Sequence, residues 1–202
     1  MKKFAVLLAS LLFSVVLCAQ DNAILEQILQ VNSAAKSFES DLRNTTIKPK
    51  KEIVQDGKLY FVRPNKFAAL FTKDSYMIAN ANKLKIDIGM FHGSFTMRKS
   101  GMLRSLSNIF LYGFQGQCED LAKENNYSIS IKEADGYQQV TFTNNRQRII
   151  GIGFKQVIYK FEKDSLKLRE ITLFDTNGTI DIYTISNVKY DVTVDPRHFD
   201  VP

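Results

Sequence analysis

The chain holds no tryptophan, two histidines and two cysteines in 202 residues, and each shortage closes a route. Cys18 lies inside an apolar N-terminal segment. Once that segment is removed Cys118 stands alone, so an intramolecular disulfide is excluded and the core must hold the fold. His92 and His198 lie far apart in sequence, and neither sits in a His/Glu or Cys/His arrangement with metal-ligand spacing. A Gly-x-Ser-x-Gly elbow, a phosphate loop and a paired catalytic carboxylate are all missing. Neither catalysis, nor a resident metal, nor a cofactor is expected. The formal charge of +6 at pH 7 is spread along the chain and gives no reason to propose nucleic acid as a partner. Lys48-Pro49-Lys50-Lys51 is the one charge run. It reads as a solvated hairpin turn, with docking to a partner or to lipid headgroups as the sharper alternative.

What is present begins at the N-terminus. Lys2 and Lys3 precede an uncharged run from Phe4 to Leu17, too short to cross a bilayer comfortably as a permanent helix. It reads as a secretory signal, with Ala19 as the cleavage residue and Gln20 as the new N-terminus. Residues 1–19 are then a signal peptide and residues 20–202 one exported domain with a single sizeable core. An acylated Cys18 is the rival reading, but the bulky Leu17 just ahead of it fits a lipobox poorly. Export argues against cytosolic chemistry requiring ATP or NAD.

Asn22 to Ala34 is a helix candidate, capped by Asp21 or Asn22, with Ile24, Leu25, Ile28 and Leu29 on one face. Strand signals follow. Asp56-Gly57, Asn80-Ala81-Asn82, Asp135-Gly136 and Thr176-Asn177-Gly178 each tolerate the left-handed backbone of a tight turn, and β-formers flank each. Consecutive hairpins of this kind predict an antiparallel meander of about ten strands, which tends to curl. Between Lys99 and Lys123 the hairpin signals stop, and Met102, Leu103, Leu106, Ile109, Phe110 and Phe114 recur at helical spacing. Gly101, Gly113 and Gly116 mark the limits of a short helix there, with a second around Glu119 to Glu124. The class is mainly β (α+β), and a helical insertion of this kind can plug the concave face of a curled sheet.

The most distinctive string is Leu59 to Phe71, LYFVRPNKFAALF. Gly57-Lys58-Leu59-Tyr60-Phe61-Val62-Arg63-Pro64 resembles the strand–Arg-Pro–strand element of the LolA family, the periplasmic carriers of outer-membrane lipoproteins. The order of parts is also similar, from the signal and one amphipathic helix through hairpins and a helical insertion to an Asp-x-x-Gly hairpin at Asp175 to Gly178. Two features depart from the family. Ala68-Ala69-Leu70-Phe71 stands where a tryptophan usually follows the Arg-Pro, and the sequence stops at Phe199-Asp200-Val201-Pro202 without the longer extension of some members.

The resemblance implies an unclosed antiparallel β-barrel, a curled sheet whose concave apolar face is covered by the N-terminal helix and a mid-chain helical lid. Acyl chains would enter between sheet and lid, and Arg63 would help latch the lid. Strand alternation puts Leu59, Phe61 and Arg63 on one face, and carbonyl ends of lid helices could supply the acceptors that an inward guanidinium needs. Phe67, Phe71, Phe91, Phe95, Met102, Leu103, Leu106 and Phe110 complete the candidate acyl-binding set with Leu59 and Phe61; each has a plain alternative as ordinary core. The implied partners are acylated lipoproteins, an inner-membrane ABC-type lipoprotein releasing complex and an outer-membrane acceptor. The implied carrier is a periplasmic monomer. A lipid or lipoprotein sensor on the same fold, and a filled interaction domain with no cavity, remain the alternatives.

Overall fold

The computed structural model describes residues 21–88, 91–97, 101–145 and 153–200. The signal segment and its cleavage at Ala19 lie outside them. Residues 21–33 form the opening helix, α1. Leu25 and Ile28 are buried and Ile24 packs against the core, whereas Leu29 is exposed. Asp21 and Asn22 are already helical, so neither caps it.

Six strands follow: β1 (Ser37–Lys48), β2 (Lys51–Val62), β3 (Lys66–Phe71), β4 (Tyr76–Asn80), β5 (Lys83–Ile88) and β6 (Phe91–Thr96). Two helices, α2 (Met102–Gln115) and α3 (Cys118–Asn125), interrupt them. The chain then returns through β7 (Tyr127–Ala134), β8 (Tyr137–Asn144), β9 (Phe154–Glu162), β10 (Leu168–Asp175) and β11 (Ile180–Tyr190). All join one antiparallel sheet of eleven strands in the order β6-β5-β4-β3-β2-β1-β11-β10-β9-β8-β7. The two halves meet where β1 pairs with β11, and β6 and β7 are its free edges. The sheet is curled and unclosed, with the helices inserted between its two edge strands in sequence.

The turn chemistry was read correctly at three sites and wrongly at one. Ala81, Asp135, Gly136 and Gly178 all take positive φ in tight connections; glycine and aspartate tolerate this readily, whereas at Ala81 the strained position falls on the alanine between Asn80 and Asn82. Asp56-Gly57 is no turn: β2 runs straight through it, and the first hairpin turns at Pro49-Lys50. Gly57 is there for space, since a Cβ on it would lie 2.3 Å from the Leu70 carbonyl oxygen on β3. Lys48-Pro49-Lys50-Lys51 is the hairpin turn that its charge suggested.

Gly113 does not bound a helix either. It sits inside α2, where an added Cβ would meet Tyr159 at 3.2 Å and Ile171 at 3.3 Å, so its role is close packing of helix on sheet. Gly116 does end α2, at φ 71°. Its missing side chain also matters, because a Cβ there would lie 2.5 Å from the Ile28 carbonyl oxygen of α1. The C-terminal end of α2 is thereby brought against α1 at Ile28 and Leu29.

Candidate functional site

Inward residues alternate along each strand and meet the helices across the concave face. On β2 these are Leu59 and Phe61, on β3 Phe67 and Phe71, and all four are buried. The apolar stripe of α2 lies on them through Leu106, Ile109, Phe110, Leu111 and Phe114. Rings do much of the filling: Phe67 stacks on Phe110 at 5.5 Å, while Phe38, Phe61 and Phe114 meet one another at 5.2 to 5.6 Å. Tyr183 meets Phe110 edge-on at 4.9 Å. Such pairs add about 0.5–1.5 kcal/mol beyond their buried area. The Tyr159 hydroxyl, buried below α2, donates to the Ile109 carbonyl and fixes the helix to β9.

α2 and α3 form one plate. Tyr112 and Asn108 on α2 both donate to the Glu124 carboxylate on α3, at 2.7 and 2.8 Å, and Ser105 donates to Asn125. Cys118, the first residue of α3, is buried, and burial pushes its thiol pKa well up.

At one end of the concave face the C-terminal ends of α1 and α2 converge on Arg63. Its Nε donates to the Ala35 carbonyl (3.2 Å), one terminal nitrogen to the Asn32 carbonyl (3.2 Å) and the other to Gln115 Oε1 (2.8 Å). The negative end of the α1 dipole faces this cation through the Asn32 carbonyl, and α2 meets it through the Gln115 side chain. Burial pulls its pKa down from the ordinary arginine value, and the guanidinium stays charged. Lys167, from the β9–β10 connection, adds a second cation: Nζ donates to the Val31 carbonyl (2.9 Å) and lies 4.5 Å from the Tyr190 ring centre. Asn32 completes the clamp by donating to the Leu166 carbonyl at 2.7 Å. The residual space beneath, between Phe38, Phe61, Phe114 and Leu168, is about 10 Å³.

At the other end the helices leave a gap. A cavity of about 300 Å³ opens between the strands and Leu106. Met77, Ile86, Ile88, Leu173 and Tyr183 give it an apolar floor. Thr46, Lys48, Gln55, Asp175 and Asp181 rim its mouth. Burial pushes the Asp181 carboxyl up from the usual range and the charge of Asp175 adds to this, while a hydrogen bond from Thr46 opposes it.

The sequence-derived set divides accordingly. Leu59, Phe61, Phe67, Phe71 and Phe110 are packed core in this closed arrangement, with Phe95 and Leu103 partly buried against them. Leu106 reaches the open cavity. The side chains of Phe91 and Met102 lie outside the described residues. Among the described residues no three His, Cys, Asp or Glu side chains gather as a metal site. His92 pairs with Asp87 at the surface, and His198 stacks on Tyr60. Sequence reasoning missed Asn32, Gln115 and Lys167, and it missed most of the cavity floor.

The family profile described as "Outer membrane lipoprotein carrier protein LolA" matches residues 30–202. The chain belongs to the LolA family. That family is periplasmic, and its fold is a non-enzymatic binding and carrier fold. No curated protein sequence matches the chain. Among solved structures, a LolA superfamily protein from Nitrosomonas europaea is similar at 10% identity and TM-score 0.44, over 89% of this chain and 96% of that one. An uncharacterised conserved protein from Thermus thermophilus is 7% identical with TM-score 0.49, over 91% and 94%. MucB in its complex with MucA from Pseudomonas aeruginosa is 7% identical with TM-score 0.48, over 89% of this chain and 60% of the other.

Proposed function

We propose that this LolA-family protein carries acylated lipoproteins between an inner-membrane ABC-type releasing complex and an outer-membrane acceptor, holding their acyl chains between sheet and lid. It would reach the periplasm through the N-terminal signal, act as a monomer and need no cofactor. The observation that carries this reading is the clamp: one half-buried arginine ties the ends of both covering helices to the strand that forms the floor.

The energetics suit a reversible lid. The open cavity, at about 300 Å³, is at the small end for ligand pockets and holds only part of an acyl chain. Further chains must displace α2 from Phe61, Phe67 and the other rings. Each acyl methylene buried is worth about 0.8 kcal/mol, against about 1.5–3 kcal/mol for each lid side chain uncovered. A chain of ordinary length thus replaces several lid contacts with little net change, so cargo is held but can be released. Restoring the Arg63 clamp supplies the closing force that expels it. Leu59, Phe61, Phe67, Phe71 and Phe110 then line the cavity once α2 has moved, and Phe91, Phe95, Met102 and Leu103 lie on the segments that border it.

Arg63→Leu removes the closing force without removing apolar surface. Mass spectrometry of material copurifying with the processed protein, wild type beside Arg63→Leu, is expected to show acylated lipoproteins enriched on the variant. Clean, ligand-free protein in both samples would overturn the carrier reading and leave a filled interaction domain. A lipid or protein partner bound equally by both would indicate a sensor.

A further inference from the structure

The outer, convex face of the sheet is covered at one end and bare at the other. Near the clamp the C-terminal turn Pro196–Phe199 lies on β3 and β4, burying Phe199 with Ala68 and Ile78 and stacking His198 on Tyr60 at 4.0 Å. Asn80 donates to the Phe199 carbonyl and holds it there. At the opposite end, the tip of the β1–β2 hairpin, no described residue covers that face.

The bare end is amphipathic. Residues 51–56 of β2 run on past the last pair with β3, which joins Gly57 to Phe71. Ile47 (37% exposed) and Val54 (51% exposed) are large apolar side chains in the open. Ile47 pairs with Glu52 and Thr45 with Val54, so the two are diagonal neighbours on the outer face. Across the next ladder Ile47 pairs with Ile180, which is partly exposed and extends the stripe.

Lys50 lies in the turn itself, and alternation puts Lys48 and Lys51 on the cavity side of the same tip; all three are exposed at the end of the hairpin. No carboxylate lies within ion-pair distance of any of the three, among the described residues. Elsewhere Lys58, Lys163 and Lys189 each hold an acidic partner at 2.5 to 2.8 Å. Glu52 is the one acid among residues 45–54, which carry three lysines; Asp181, paired with Thr46, and Asp175 lie on the concave side at the cavity mouth, away from the outer face. Thr46, Lys48 and Ile53 of the same hairpin also line the mouth of the open cavity.

We propose that the β1–β2 hairpin tip docks this protein on an anionic lipid bilayer, with Ile47 and Val54 entering the headgroup layer. Charge complementarity favours lipid over a folded partner. Three exposed ammonium groups beside a short apolar stripe match a fluid field of phosphates. Each lysine removed weakens membrane partitioning about fivefold. The proposal stands apart from the carrier reading, because vesicles without lipoprotein test it.

The test uses the processed protein and two vesicle preparations, pure phosphatidylcholine and equimolar phosphatidylcholine with phosphatidylglycerol. Sedimentation is expected with the anionic vesicles only, and to weaken as salt is raised. Replacing all three lysines by Gln should lower binding about a hundredfold, to background, while the far-ultraviolet spectrum stays unchanged. The absence of native tryptophan gives a second readout. In Val54→Trp the introduced indole should shift its emission to the blue on anionic vesicles, whereas Tyr137→Trp, at the β7–β8 turn, should not. Equal binding to both vesicle types, unweakened binding by the triple Gln variant, or an unshifted indole at position 54 would each overturn the proposal.

Discussion

The two ends of the concave face are built on opposite terms. At the clamp, rings fill the space to about 10 Å³, and a half-buried cation finds three acceptors on two helices and the segment after α1. At the mouth, about 300 Å³ stays open and a half-buried carboxylate has its pKa raised by the same kind of burial. Under the proposed carrier function the two ends would do different work: one would store the contacts that keep the helices down, and the other would leave room for a ligand to start displacing them.

The comparison predicts unequal responses to the same kind of truncation. Phe110→Ala removes a ring packed against Phe67, Phe114 and Tyr183, and should cost about 3–5 kcal/mol because the rigid surroundings cannot collapse. Ile88→Ala at the mouth borders space that is already open, and should cost about 1 kcal/mol. Urea midpoints of the two variants measure the contrast. Equal losses would mean that both ends are packed alike in solution.

How much of this was legible depends on the range of each interaction. The hairpins at Ala81-Asn82, Asp135-Gly136 and Asn177-Gly178 are local signals and were readable. Asp56-Gly57 carries the same signal but misleads, because Gly57 answers to the Leu70 carbonyl across a strand pair rather than to its own backbone. Arg63 could be singled out through the family resemblance, yet its partners Asn32 and Gln115 lie far from it in sequence and no periodicity joins them. Asn32 did leave a trace: it is a polar residue continuing the apolar stripe of Leu25 and Ile28. The cavity floor follows strand alternation in Met77, Ile86 and Ile88. Whether such residues face a ring or a gap depends on where α2 crosses the sheet, which alternation does not encode.

A smaller effect separates the second cation of the clamp from the first. Lys167→Met keeps the stem over Tyr190 but deprives the Val31 carbonyl of its donor, at about 1 kcal/mol. Amide hydrogen exchange should quicken in residues 21–33 and stay unchanged in β4 and β5. Combined with Arg63→Leu the losses should not add, because both cations hold the same helix end. Strict additivity would show that they act on separate structures and that the clamp is not one unit.

The smallest effect has the opposite sign and belongs to the mouth. Asp181 is pushed above the ordinary aspartate value of about 3.9, so the folded protein binds its proton more tightly than the unfolded chain does. The stability linked to that proton is fully present below the ordinary value and is lost as pH rises through the raised native one. At pH 7 the ionised carboxylate therefore opposes folding. Asp181→Asn keeps an acceptor for the Thr46 hydroxyl and removes the charge, so it should raise the urea midpoint at pH 7 and leave it unchanged at pH 3. The clamp offers no matching gain, since removing Arg63 leaves three acceptors without their donor. A variant less stable than wild type at pH 7 would show that neighbours stabilise the Asp181 charge after all, and the mouth would then be as well satisfied as the clamp.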